Sequence, residues 1–195
     1  MAGTWVREED PDFATQRIFD GAARAFVDLG VSGAGMTEIA TYVGCSRGTL
    51  YRYFKNRHEL HLAFVNNRAV RLAAELQVEL RDEADPTEKL TKYIVRALQK
   101  VRSNPSMAVW FATTESGMTA RMSRGSEVIS CLAETFVTRL QGEQTGQDWL
   151  NGIRARWVVR VIVSLLTTPA ENEEEERILI ERFVVPGVLV NTQSA

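Results

Sequence analysis

An all-α chain of about nine helices is predicted by three features of the sequence. Nearly every patterned segment carries the helical period, and runs of strict alternation are absent. Helix-start signatures recur: Asn56 with Glu59, Asp85-Pro86 with Glu88, and Asn172 with Glu175 each place a capping side chain three residues ahead of a glutamate. Helix breakers separate the patterned segments, at Gly30, Gly44, the stretch Gly142 to Gly146, and Pro186-Gly187. The chain has 195 residues, 45% apolar and 25% charged, which suits one sizeable core or two small linked ones.

Helix one should run from about Asp12 to Leu29, with Ile18, Ala22, Ala25, Phe26 and Leu29 on one stripe and Gly30 as its stop. Helix two, about Met36 to Val43, turns Met36, Ile39, Ala40 and Val43 inward, and Gly44 supplies the turn. Ser46 is then a good cap for helix three, with Cys45 ahead of it placed to staple against Leu50. Leu50 and Phe54 face inward, so Arg47, Tyr51 and Lys55 share the opposite face with Gly48 and Arg52.

The Asn56 box opens a long helix four from Arg57 to about Glu83, and Pro86 opens helix five, ending near Arg102. Asn104-Pro105 opens helix six, with Met107, Trp110, Phe111 and Thr114 on one side, before an irregular stretch from Ser116 to Arg124. Helix seven spans about Glu127 to Leu140. Helix eight, about Asp148 to Thr167, is apolar nearly all round in its second half and must be covered on both sides. Helix nine sets Glu173 to Glu176 in a solvated first turn, where the helix dipole favours them. Its stripe is Leu179, Ile180, Phe183 and Val184, and Pro186-Gly187 should stop it.

Charge is distributed unevenly. The stretch from Ser46 to Arg57 holds Arg47, Arg52, Lys55 and Arg57 with two tyrosines and no acid, inside a chain of net charge -2 and pI near 5.8. A cationic face on one short element of an acidic chain points to a nucleic-acid contact. The amphipathic helix and glycine turn ahead of it spell helix-turn-helix.

The run Gly48-Thr49-Leu50-Tyr51-Arg52-Tyr53-Phe54-Lys55-Asn56-Arg57, with Ile39-Ala40, Gly44, Ser46 and Leu60, resembles the TetR family of bacterial transcriptional regulators. The matching block covers roughly residues 12 to 62; the rest resembles the family in length and helical pattern. The resemblance implies a three-helix DNA-binding domain over 1–56 and a helical ligand-sensing and dimerisation domain over 57–195. It also implies that helix three enters the major groove of a double-stranded operator. Arg47 then suits a bidentate contact to guanine, and Gly48 allows close backbone approach. Thr49 suits a thymine methyl or a phosphate. Tyr51, Tyr53, Lys55 and Arg57 suit phosphate and sugar, and Arg52 suits either; packing of the small domain is the competing role for Tyr53. Ser46 belongs to the same set. Where the family usually caps helix two with serine or threonine, this chain has Gly35, and Thr37 is the substitute contact.

One such motif reads too few base pairs, so a homodimer on a palindrome is expected, with half-sites about 34 to 36 Å apart or a multiple. Helices eight and nine would supply its surface, through Trp157, Val158, Val161, Ile162, Leu165, Leu179, Phe183 and Val184. A pocket for an apolar or aromatic small-molecule effector is implied among helices four to seven. Its candidate lining is Phe64, Tyr93, Met107, Trp110, Phe111, Met118, Met122 and Leu132, residues that serve equally well as plain core. Arg96, Glu115 and Arg121 are candidate polar contacts. Repression relieved by the effector is the family's commoner mode.

Other classes fit poorly. Cys45 and Cys131 stand in no metal-type spacing and read as reduced thiols of a cytosolic protein. No signal segment opens the sequence, and the longest apolar run, Val161 to Leu166 interrupted by Ser164, is far short of the roughly 20 residues a membrane span needs; a cytoplasmic location without membrane attachment is expected. His58 and His61 flank Glu59, but Glu59 serves as a cap and no third ligand is apparent, so both histidines read as solvated or near phosphate. Without a phosphate loop, nucleophile elbow or triad, no enzyme, cofactor or metal is expected. The alternative is a helical dimer that binds a small molecule or protein without DNA.

Overall fold

The computed structural model describes residues 11–112, 125–142 and 148–189, and all regular structure among them is helical. Helix α1 (Pro11–Gly33) is broken at Gly30, whose φ of 74° a side chain would strain, so the main helix stops where the sequence placed the stop. Helix α2 (Met36–Val43) ends on Gly44, also left-handed, and α3 (Arg47–Tyr53) starts on Ser46, whose hydroxyl accepts from the Thr49 amide at 3.0 Å. Gly35 caps α2 without a side-chain bond, as its lack of an oxygen requires.

Helix α4 (Arg57–Glu79) begins at the predicted box: Asn56 Oδ1 accepts from the Glu59 amide (2.9 Å), and Glu59 Oε2 accepts from the Lys55 amide (3.0 Å). Helix α5 (Pro86–Ser103) follows, with Asp85 accepting from Thr87 and Glu88. Helix α6 (Pro105–Ala108) is one turn long and passes into a 3₁₀ turn, Val109–Phe111. Helices α7 (Glu127–Gln141) and α8 (Asp148–Thr167) match their predicted spans closely. Thr114, Glu115, Met118, Arg121 and Met122 lie outside the described residues.

Two readings of the C-terminal segment are corrected. Helix α9 (Glu173–Leu179) does not stop at Pro186-Gly187; it passes through a π-helical turn, Ile180–Val184, into α10 (Val185–Leu189). Proline lacks an N–H, and a widened turn just before it puts Pro186 in the first turn of a renewed helix, where that donor is not needed. Val185 and Val188 are buried there, so packing carries the chain past the breaker. Nor is the glutamate cluster wholly solvated. Glu176 is buried and accepts from both terminal nitrogens of Arg102 (2.9 and 2.6 Å), and Arg102 also donates to the Leu165 carbonyl (2.9 Å). One guanidinium thereby ties α5 to the end of α8 and the start of α9.

Two apolar clusters result. The first joins α1, α2 and α3 through Ile18, Phe26, Ile39 and Leu50, and takes in Leu60 and Phe64 from α4 and Trp110 from the 3₁₀ turn. The second is built on Leu90, Ile94 and Leu98 of α5 with Val158 and Leu165 of α8 and Val184 and Val188 at the C-terminal end. Helix α4 therefore contributes to the small N-terminal core and then continues beside the second.

Candidate nucleic-acid interface and ligand cavity

The reading face is assembled by close packing beneath it. Helix α1 lies against the end of α2 so tightly that a Cβ on Gly21 would come within 2.8 Å of Val43 Cα. Arg24 donates to the Tyr42 carbonyl and the Tyr42 hydroxyl to Asp28, both at 2.9 Å, bracing the same contact. Leu50 and Phe54 are buried as anchors, leaving Arg47, Gly48, Tyr51 and Arg52 exposed. Arg47 is partly ordered by its neighbour: its guanidinium lies 5.3 Å from the centre of the Tyr51 ring and donates to that hydroxyl at 3.4 Å. Thr37 is exposed at the start of α2. Thr49 is half-buried with its hydroxyl 2.9 Å from that of Ser46, and Tyr53 is half-buried against the small core. Lys55 is exposed, beyond the end of α3 rather than on it.

Arg57 has another employment. Its guanidinium donates to the carbonyl oxygens of Val31 and Ser32 (2.8 Å to Ser32), closing the chain after the Gly30 break, and its Nε faces His61 Nε2 at 3.4 Å. The side chain is thus turned into the domain, not onto the α3 face. His61 is also corrected: it is 2% exposed, set edge-on against Phe26 and Trp110, with ring centres 5.1 and 5.2 Å apart. Burial first, and then Arg57 and His58, depress its pKa to about 4, so it is neutral near pH 7. Only His58 of the two is exposed.

Beyond this seam lies a cavity of about 160 Å³ bounded by α4, α5, α7, α8 and the 3₁₀ turn. Phe64, Tyr93, Met107, Trp110, Phe111 and Leu132 all line it, as the sequence suggested. No charged side chain does, and burial pushes the Tyr93 hydroxyl up to about 12. Arg96 is directed elsewhere, paired with Glu79 at 3.1 Å. Phe136, stacked on Tyr93 with centres 3.8 Å apart, and the α8 residues Val158, Ile162 and Leu166 were missed as lining. Phe136 was legible four residues after Leu132; the α8 contribution was hidden because that helix is apolar on every side.

That division of α8 also bears on the dimer surface expected from the sequence, several of whose residues are turned inward. Val158, Leu165 and Val184 are buried in the chain's own core, Ile162 faces the cavity, and Val161 and Leu179 pack partly against the same cluster. Trp157 and Phe183 are exposed, at 45% and 70%. Trp149 and Ile153, four residues apart and in line with Trp157, are exposed as well, as is Ile178. Among the described residues no group of three or more His, Cys, Asp or Glu side chains could hold a metal ion. No described helix is long and apolar enough to cross a membrane.

Residues 18–64 match the model of the bacterial regulatory proteins of the tetR family. Over 191 residues the chain is 42% identical to the HTH-type transcriptional regulator Rv1255c of Mycobacterium tuberculosis, covering 96% of this chain and 92% of that one. Among solved structures it resembles the TetR family repressor AlkX of Dietzia, implicated in biodegradation of n-alkanes (TM-score 0.66, 17% identity, 95% and 97% covered). It also resembles Thermus thermophilus FadR in complex with lauroyl-CoA (TM-score 0.62, 19% identity, 93% and 98% covered).

Proposed function

The chain belongs to the TetR family of bacterial transcriptional regulators, and from that premise we propose that it acts as a homodimer on a palindromic operator, as a repressor released by a small apolar effector. The observation that carries this reading is the course of α4. It leaves the reading head at Arg57, supplies Phe64 to both the small core and the cavity wall, and continues uninterrupted along the cavity to Ala73. An effector that prefers one tilt of α4 changes the spacing of the two reading heads, and reduces operator affinity by its differential affinity for the two conformers.

Arg47 and Gly48 are assigned to base edges, and Tyr51, Arg52 and Lys55 to the backbone; the exposure of all five supports this. Ser46, Thr37 and Thr49 are secondary contacts at the helix starts. Tyr53 and Arg57 serve chiefly to hold the domain. The dimer surface is assigned to Trp149, Ile153, Trp157, Ile178 and Phe183, large apolar side chains that a lone subunit leaves in water. The n-alkane association of AlkX and the lauroyl-CoA bound to FadR support a chain-like ligand, which the uncharged cavity also favours.

The test is a gel shift with the DNA upstream of the gene at two salt concentrations, followed by selection of bound sequences from random DNA. With roughly six to ten phosphates neutralised, log affinity should fall with log salt at a slope of about -5 to -9. Selected sites should be palindromic. Absence of any salt-dependent binding, or selected sites without symmetry, would overturn the reading.

A further inference from the structure

The apolar cavity shares a wall with a second one. A second cleft, of about 460 Å³, shares Ala73, Tyr93, Leu132 and Phe136 with it and continues in the same direction on three helices at once. On α4 the lining passes from Phe64 to Gln77, with Arg81 just past the helix end; on α5 from Val101 to Lys89; on α7 from Ile129 to Arg139. Its chemistry changes along that path. The first part has no charge, whereas the second is bordered by Arg81, Lys89 and Arg139.

These cations are not neutralised by the acids nearby. Arg139 is exposed and has no hydrogen bond or ion pair among the described residues. Lys89 donates to the Glu83 backbone carbonyl (3.0 Å), not to a carboxylate, while the Glu83 carboxylate is taken by Lys92 and the Asp85 amide. Arg81 meets Asp82 only at 3.7 Å, with both side chains largely in water.

We propose that the effector is an anionic amphiphile whose head, a carboxylate or phosphate, sits among Arg81, Lys89 and Arg139 while its alkyl chain passes Tyr93 and Phe136 into the cavity towards Trp110. This rests on the effector reading above and adds the head site and the direction of the chain. It also makes chain length a signal. Phe64 and Gln77 are about 20 Å apart along α4 at 1.5 Å per residue. With the head fixed at the cleft, only a long chain reaches Phe64 and Trp110, the two buried side chains that belong to both the cavity wall and the reading domain's core.

The experiment compares binding of palmitate, palmitoyl-CoA and methyl palmitate, all below their aggregation limits, by quenching of tryptophan fluorescence. At least one anion should bind about tenfold more tightly than the neutral ester, the free-acid and thioester arms identifying which. The exposed-residue variant Arg81→Gln/Arg139→Gln should erase that preference and leave ester binding unchanged. Octanoate, laurate and stearate should bind progressively better, whereas operator release should begin only at a threshold length. Equal binding of ester and both anions would overturn the head site and leave the cavity reading standing; binding of none would overturn both. A preference that survives the double variant overturns the assignment to these residues, and release that merely tracks affinity overturns the length signal.

Discussion

The reading half and the sensing half of this chain are both helical, but they are packed to opposite standards. In the first, short helices are closed at both ends by Ser46, Gly44 and Asn56, and α1 meets α2 where only a glycine fits. In the second, helices surround a void and are held at one end by the Arg102–Glu176 guanidinium–carboxylate pair. The difference separates two requirements. A surface that reads bases has to be rigid before DNA arrives, whereas a receptor for an apolar ligand has to leave contacts unmade until the ligand makes them.

The largest expected effect tests the hold on the sensing half. Glu176→Ala leaves the Arg102 guanidinium without its carboxylate and should cost about 3 kcal/mol, the low end for a broken buried pair because Arg102 is itself partly exposed. Urea unfolding should separate into two transitions with the sensing half first; one unshifted transition would break the comparison. Acidification tests the seam between the halves. His61 has a pKa lower when folded than unfolded, so the unfolded chain binds more protons between pH 6.5 and about 4. Its contribution to stability is therefore complete above pH 6.5 and declines as pH falls, by roughly 3 kcal/mol in all. Unfolding curves for the parent and His61→Gln across that range should differ by this component.

Gly21→Ala should cost about 1–3 kcal/mol by overpacking against Val43 and weaken operator binding while leaving ligand affinity unchanged. Equal damage to both would show that the halves are not separable. Arg47→Ala should lose about 1–3 kcal/mol of discrimination at one base pair, whereas Lys55→Ala should weaken every sequence alike and reduce the salt slope by about one. A competition assay with mismatched operators distinguishes them. Smallest, Gly48→Ala has room in the free protein, its nearest new neighbour being Ser46 Oγ at 3.7 Å. It should stabilise α3 by about 1 kcal/mol or less and still weaken DNA binding. Unchanged operator affinity would mean that no close backbone approach occurs at that position.

The two halves were also unequally legible. Helix boundaries in the reading half followed from caps, glycines and four-residue spacing, all of which act within a turn of the chain. The pocket was partly legible: six of its lining residues were anticipated, whereas Phe136, the α8 wall and the smaller aliphatic side chains of α4, α5 and α7 were not. The proposed dimer surface was least legible, because on a helix apolar all round neither period nor composition says which side meets the core. Trp149, Ile153 and Trp157 carried a readable four-residue spacing; Val158, Leu165 and Val184 were equally apolar but turned inward.

Three further assignments depended on partners distant in sequence. Arg57 closes the end of α1 some 25 residues away, Glu176 pairs with Arg102 across 74, and His61 is buried by a tryptophan from the 3₁₀ turn. The sequence by itself determined the all-α class, the helix starts and stops of the reading head, and the concentration of positive charge on α3, since each depends on near neighbours in the chain. Only the tertiary structure decided which charges remain in water, which side of α8 is covered, and that a cleft bordered by Arg81, Lys89 and Arg139 lies next to the cavity. Burial is a property of what packs above a residue, and the residues that do so here come from other helices.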